Sequence, residues 1–298
     1  VKILVTGSHG FIAHALIPSL ESGGHSIRRL VRSSADTGRG EFAWDPYRKQ
    51  IDDAALDGID AVVHLAGESI AEGRWTPDKK KRILESRTIP TRFLAEKIAA
   101  STSPPSVFVC ASAIGYYGDR GEEVLTEGSS PGSDFLANVC LEWEAATAPA
   151  SANKARVVNV RFGLILSPDG GALQKILMPF KLGVGGRLGS GNQYWSWIAL
   201  DDVIGAIGHV LTAQSVQGPV NITGPNAVTN KEFTSVLGKV IHRPALFPAP
   251  AVALRIALGE MADALLLSSA NVRPEKLSVS NYRFRHTDLA EALTYLLQ

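Results

Sequence analysis

The amino-acid sequence predicts an α/β protein, a doubly wound parallel sheet followed by a smaller C-terminal helical lobe. Three observations carry that expectation. Short apolar, β-branched runs alternate with helical stretches through the first half of the chain. A glycine turn joins the first run to the first helix. From about Leu164 the alternation gives way to glycine-rich loop and then to Ala- and Leu-rich helices.

The elements follow in order. "KILVTG" is an apolar run closed by glycine, the form of a strand buried on both faces. Phe11, Ile12, Ala15, Leu16 and Leu20 then fall at helical spacing, and "SGGH" ends that helix. Pro18 inside it removes a backbone bond and should bend the chain. "SIRRLVR" reads as a second strand, "DAVVHLAG" as a third, and "SVFVCASA" and "ARVVNVRFG" as two more. "KKKRILESRTIPTRFLAEKIAAS" and "FLANVCLEWEAATA" supply helices between them, and "GPVNIT" is one more strand beyond the loop "GVGGRLGSGNQYWSW". Residues 1–163 therefore form the first lobe, its sheet completed by about 198–225. Residues 164–298 are mostly the second lobe, closing over the carboxyl edge where such sheets bind ligands.

A chain of 298 residues suits one large or two closely joined domains, and 45% hydrophobic with 20% charged residues suffices for a sizeable core. A formal net charge of +1 leaves no overall electrostatic footprint for nucleic acid or an anionic membrane. Cys110 and Cys140 make no disulfide framework and fit a reducing, cytoplasmic setting. The first residues are already strand-like and nothing reads as a signal peptide. The most apolar stretch, "ALRIALGEMADALLLSSA", is interrupted by Arg255, Glu260 and Asp263 and does not read as a membrane span. The seven histidines are scattered without metal-ligand spacing, so no metal is expected.

"TGSHGFIA" sets Gly7 and Gly10 between the first strand and the first helix. Gly7 permits a tight turn, and Gly10 lets backbone amides, with those of Phe11 and Ile12, approach a pyrophosphate at the positive helix end. Ala13 keeps the third position small. A glycine pattern in this strand–turn–helix setting makes the fold Rossmann-like and the ligand a dinucleotide. An acid some 20 residues on would favour NAD; instead Val31 is followed by Arg32, Ser33 and Ser34, donors suited to a phosphate monoester. The expected cofactor is NADP(H). Arg28 and Arg29 lie close by, so Arg32 also fits a solvated strand end. Leu65, Ala66 and Gly67 of "HLAG" can pass the adenine side without crowding it.

Together these stretches resemble the extended short-chain dehydrogenase/reductase superfamily, in its NAD-dependent epimerase/dehydratase branch, whose opening is TGxxGFIG. "VVHLAG", "YYGD", "WIALDDVIGAI" and "VNITGPNAVTNKEFTSVLGKVIHRP" carry the likeness across nearly the whole chain. "AGESIAEGRWTPDKKKRILESR", "LEWE" and "LMPFKLGVGGRLGSGNQYWSWI" are similar to one subgroup, epimerase-like proteins sometimes labelled cell-division-inhibitor homologues. The resemblance implies an NADP-dependent, epimerase-like oxidoreductase of small polar compounds, sugar-derived ones among them, and a homodimer. By position it implies cofactor contacts at Val31, Arg32, Leu65, Ala66 and Arg87.

The superfamily's chemistry rests on a Tyr phenolate, a Lys four residues later that lowers its pKa, and a Ser or Thr that orients the carbonyl. Here Leu136 (or, one frame over, Phe135) stands at the Tyr position, Cys140 at the Lys position and Ala113 at the Ser/Thr position. The candidates to replace them are Tyr117, Tyr116 and Ser112, beyond the central strand. Packing of the turn by both tyrosines explains them equally well. Cys140 reads as a small buried hydrophobe. Glu68, Arg74 and Trp75 fit either a polar ligand or a surface loop with a salt bridge. Gln193, Tyr194, Trp195 and Trp197 form either a lid or an anchor between lobes. Asp201 and Asp202 are expected to cap the helix "VIGAIGHVL", and the run Lys79, Lys80, Lys81, Arg82 to form a solvated helix face. Two functions remain open: a non-catalytic NADPH-binding regulatory or assembly protein, which the missing Tyr–Lys pair favours, and the NADP-dependent enzyme, which the intact glycine turn and the lid-like loop with its polar residues keep ahead.

Overall fold

A computed structural model describes residues 1–32 and 35–298. Its strands, in chain order, are β1 (Lys2–Thr6), β2 (Ser26–Val31), β3 (Glu41–Asp45), β4 (Gln50–Ile51), β5 (Ala61–His64), β6 (Val107–Ala113), β7 (Val124–Leu125), β8 (Arg156–Phe162), β9 (Leu164–Leu166), β10 (Tyr194–Trp195), β11 (Trp197–Ala199), β12 (Gly218–Ile222), β13 (Val228–Thr229) and β14 (Asn271–Val272). The helices used below are α1 (Phe11–Ser22), α2 (Pro77–Ala100), α3 (Phe135–Ala145), α4 (Ala148–Ser151), α5 (Gly171–Lys181), α6 (Leu200–Thr212), α7 (Asn230–Val240) and α8 (Ala251–Leu258).

Eight strands make the central sheet, in the order β12-β8-β6-β5-β1-β2-β3-β4. All pair in parallel except β4, which runs antiparallel to β3 at the edge. Leu4, Val62, Val63, Phe108, Val109, Val158, Val160 and Val220 are fully buried, because helices cover both faces of a parallel sheet. From β1 the order runs outward to β2 on one side and to β5 on the other, so the glycine turn after β1 lies at the topological switch point.

The pattern of apolar runs predicts the five inner strands and β12, but passes over the edge pair β3–β4, so the expected third strand is the fifth. "EFAWDPYRKQI" is short and mixed in polarity, because an edge pair is buried less than the centre. The expected bend at Pro18 does not interrupt α1, which runs continuously through it. Pro18 faces solvent, where water can satisfy the carbonyl its ring leaves unpaired. Helix α2 begins two residues before the expected run, with Pro77 in its first turn and the Thr76 side chain accepting from the Lys79 amide.

Separate from the main core, a second core packs Leu173, Leu177 and Phe180 of α5 against Trp195, Trp197, Phe233, Leu237 and Leu293. The stretch expected to be loop after Leu164 therefore holds a helix, β9 paired with β11, and β10 paired with β13. Among the described residues no helix is long and apolar enough to cross a membrane.

Candidate active site

The turn after β1 forms because Gly7 takes φ +67°, a conformation costly for a residue with a Cβ. It also lies hard against the exit of β5: a Cβ on Gly7 would sit 2.8 Å from the Ala66 amide nitrogen and the Leu65 carbonyl carbon. The structure thus brings Gly7, Leu65 and Ala66 together. Gly10 donates to the Gly7 carbonyl at 2.8 Å and begins α1, which has no side-chain cap and no acid in its first turn. Its leading amides and partial positive charge are open to an external anion. Phe11 lays its ring on the Gly170–Gly171 turn ahead of α5, and Ile12 packs on the main core.

Two further groups stand at this edge. Ser8 Oγ is buried with no partner among the described residues, which marks it as a donor awaiting an acceptor. Its signal in the sequence is its place inside the glycine turn. His64 Nδ1 lies 2.6 Å from Thr6 Oγ1, while its Nε2 has no partner among the described residues. Complete burial pulls the imidazole down to about 3, so it is neutral.

At the carboxyl end of β2, Val31 is buried and Arg32 is exposed just beyond the strand. Arg28 is engaged with the carbonyls of Ala54 and Asp57 (2.6 and 2.9 Å), and Arg29 with Glu21 (2.7 Å). Arg32 makes no ion pair with any described residue. Tyr47, carried by the unforeseen β3–β4 turn, is near enough that the Arg32 charge offsets part of the burial that raises its phenol pKa. Ser33 and Ser34 lie outside the described residues.

Arg87 of α2 lies under Gly67, stacks its guanidinium 5.0 Å above the Trp143 ring, and donates to the carbonyls of Glu68 and Ile83, both at 3.0 Å. It holds the loop after β5 in place.

The three residues considered for proton chemistry belong to one polar network. Ser112, at the end of β6, donates to Glu144 of α3 at 2.7 Å. Glu144 binds Arg161 of β8 through both oxygens, at 2.7 and 2.8 Å. Burial works against the Arg161 charge, and the carboxylate more than offsets it, holding the guanidinium firmly protonated. Arg161 Nη1 donates to the Tyr117 hydroxyl at 3.0 Å, and that hydroxyl donates to Asn221 Oδ1 of β12 at 2.7 Å. Tyr117 is 0% exposed, and burial raises its phenol pKa. Its hydroxyl is committed to the network and closed to solvent. Tyr116 is half-buried with its ring 3.4 Å from the Arg161 guanidinium, and its hydroxyl has no partner among the described residues.

Leu136 packs on Gly115, and Cys140 is buried against Ala113 and Ser112, so no amine or phenol occupies that part of α3. Desolvation, which the nearby Arg87 only partly offsets, pushes the Cys140 thiol up to about 11. It is a neutral packing group.

Other expectations resolve differently. Lys79 is not solvated: it is buried and pairs with Glu68 at 2.6 Å, while Lys80 pairs with Glu260. Arg74 donates to the Ile256 carbonyl of α8 at 2.6 Å, and Trp75 to that of Ile70 at 2.8 Å, so the loop after β5 is tied to α8. Trp195, Trp197 and Gln193 are buried anchors. Asp201 and Asp202 do not cap α6; Ala199 is its N-cap. Asp202 instead accepts from the Tyr282 hydroxyl and from the amides of Arg285 and His286, at 3.1, 2.8 and 2.9 Å, tethering the C-terminal segment. No group of three or more metal-ligating side chains occurs among the described residues.

The model of the NAD dependent epimerase/dehydratase family matches residues 3–223, and a domain of unknown function, DUF1731, matches residues 249–296. The chain is 41% identical to an epimerase family protein of Mycobacterium bovis, over 98% of this chain and 96% of that protein. A crystal structure of the human epimerase family protein SDR39U1 with NADPH superposes with a TM-score of 0.91 at 32% identity, covering 99% of both chains. A nucleoside-diphosphate sugar epimerase from Corynebacterium glutamicum superposes with a TM-score of 0.82 at 37% identity; all of this chain matches 58% of that one.

Proposed function

The chain belongs to the NAD dependent epimerase/dehydratase family, and on that premise we propose that it binds NADP(H) and acts as an epimerase-like oxidoreductase on a small polar substrate, sugar-derived compounds among them. One observation carries the reading: an uncapped, acid-free start of α1 at the switch point, with Arg32 exposed beyond the neighbouring strand. The human relative crystallised with NADPH supports it.

In this reading the α1 amides from Gly10 onward, with Ser8 Oγ, seat the pyrophosphate, and Arg32 pairs with the 2′-phosphate. Leu65, Ala66 and Gly67 flank the adenine side, with Arg87 bracing their loop. When bound, the cofactor supplies hydride exchange at its nicotinamide ring. Tyr116 is the proton donor, its ring held by Arg161, and Ser112, Glu144 and Tyr117 are positioning residues that hold Arg161. The committed Tyr117 hydroxyl and neutral Cys140 favour a second reading, an NADPH-binding regulatory or assembly protein without turnover.

Two measurements test this. Arg32→Ala should weaken NADPH by about 10- to 100-fold and NADH little in a fluorescence titration, since a charge-assisted bond contributes about 1.5–3 kcal/mol. Equal losses would remove the NADP assignment. With NADPH and a panel of carbonyl and nucleotide-sugar compounds, Tyr116→Phe should slow turnover at least about 100-fold without changing NADPH affinity. Tight NADPH binding with no turnover across the panel would select the second reading.

A further inference from the structure

The net charge of +1 conceals a strong local asymmetry. No Asp or Glu occurs in residues 170–200 or 233–259, which together carry six of the 30 Lys and Arg. The rest of the chain has 24 against 29 acids, a net of −5. Folding gathers part of this excess with one more cation from between the two segments. Arg187, Lys231, Lys239, His242 and Arg243 line a single concavity of about 840 Å³ between α7 and the segment that follows it. Its wall includes no acid, and none of the five makes a side-chain hydrogen bond or ion pair with a described residue.

The backbone holds this arrangement at a cost. His242 takes φ +54°, where glycine or asparagine would be expected after a helix. The Arg243 amide donates to the Gly238 carbonyl at 2.9 Å, and only a glycine at 238 leaves room for the Arg243 carbonyl, 2.7 Å from where a Cβ would stand. The C-terminal dipole of α7 amounts to about half a negative charge, which one cation offsets. Four permanent cations and a histidine exceed that need.

We propose that this concavity is a second ligand site, selective for a phosphate-bearing anion, whose several oxygens can engage guanidinium and ammonium donors together. A soluble phosphorylated compound and a phospholipid headgroup share that chemistry. Among the described residues, seven of the twelve exposed large hydrophobic ones also lie in the two acid-free segments, Leu246 at the rim and Phe247 beside it among them, so both sources are tested.

Inorganic pyrophosphate titrated into the full chain should shift the backbone amide signals of residues 238–243 and the His242 ring signals in NMR spectra, saturably, with a midpoint below about 1 mM at low salt. The α1 amides report any binding at the glycine turn separately. The double variant Lys239→Ala/Arg243→Ala should weaken the local response at least about tenfold. His242→Gly, which relieves the left-handed backbone and so keeps the fold, should weaken it severalfold. Flotation with phosphatidylglycerol vesicles but not phosphatidylcholine ones, abolished in the double variant, identifies the headgroup as source; pyrophosphate binding without flotation identifies a soluble phosphate. Absence of both responses, or equal responses in the double variant, overturns the site.

Discussion

Replacing Tyr117 by phenylalanine separates a structural hydroxyl from a catalytic one. The ring stays, so no cavity opens, and only one oxygen is lost from a completely buried position. That oxygen accepts from Arg161 Nη1 and donates to Asn221 Oδ1. Without it an N–H and a carbonyl oxygen are each left unpaired, at about 1–3 kcal/mol apiece. Arg161 keeps both bonds to Glu144, and Asn221 keeps its Nδ2 bond to the Arg273 carbonyl, so the network persists. The expected loss is about 2–6 kcal/mol of unfolding free energy. Tyr116→Phe keeps the ring over Arg161 and loses a hydroxyl with no described partner, so its change should stay within about 0.5 kcal/mol. Urea denaturation followed by circular dichroism measures both. In a double-mutant cycle, Asn221→Ala should cost less in the Tyr117→Phe background than in the parent, because the pair shares one bond. A Tyr117→Phe protein as stable as the parent, or a Tyr116→Phe protein as damaged as Tyr117→Phe was expected to be, would refute the assignment of the two phenols.

Three more outcomes follow from the same geometry. Gly7→Ala must place a Cβ 2.8 Å from backbone atoms at φ +67°, and should lower stability by more than about 2 kcal/mol and abolish dinucleotide binding, as melting and calorimetry would read. His64 has its folded pKa pulled to about 3, below the ordinary 6.5; its contribution is whole above pH 6.5 and lost as pH falls, because the unfolded chain takes up the proton first. Stability should therefore decline by up to about 1.4 kcal/mol per pH unit from 6.5 downward, a slope that His64→Gln should flatten in pH-dependent urea titrations. Asp202→Ala removes the acceptor for two amides and a phenol, and hydrogen exchange at Arg285 and His286 should accelerate at least about tenfold while the central strands stay protected.

Much of this molecule can be read along the chain, because its order is set by local rules. Buried parallel strands need continuous apolar runs, and the turn after β1 needs a residue free to adopt φ +67°. Hence the sheet and the glycine turn were legible, whereas the edge pair β3–β4, less buried, left no such pattern. Partners are another matter. That Arg28 and Arg29 are engaged, while Arg32 pairs with no described acid, depends on carbonyls and a carboxylate brought up by other segments. Tyr117 meets Asn221 across 104 residues, Asp202 meets Arg285 across 83, and Ser112 meets Glu144 across 32. Spacing says nothing about such pairs, since each side chain is chosen against neighbours that exist only after the sheet has closed. Periodicity and backbone permissiveness are properties of a segment; burial, charge pairing and the commitment of a hydroxyl arise where distant segments meet.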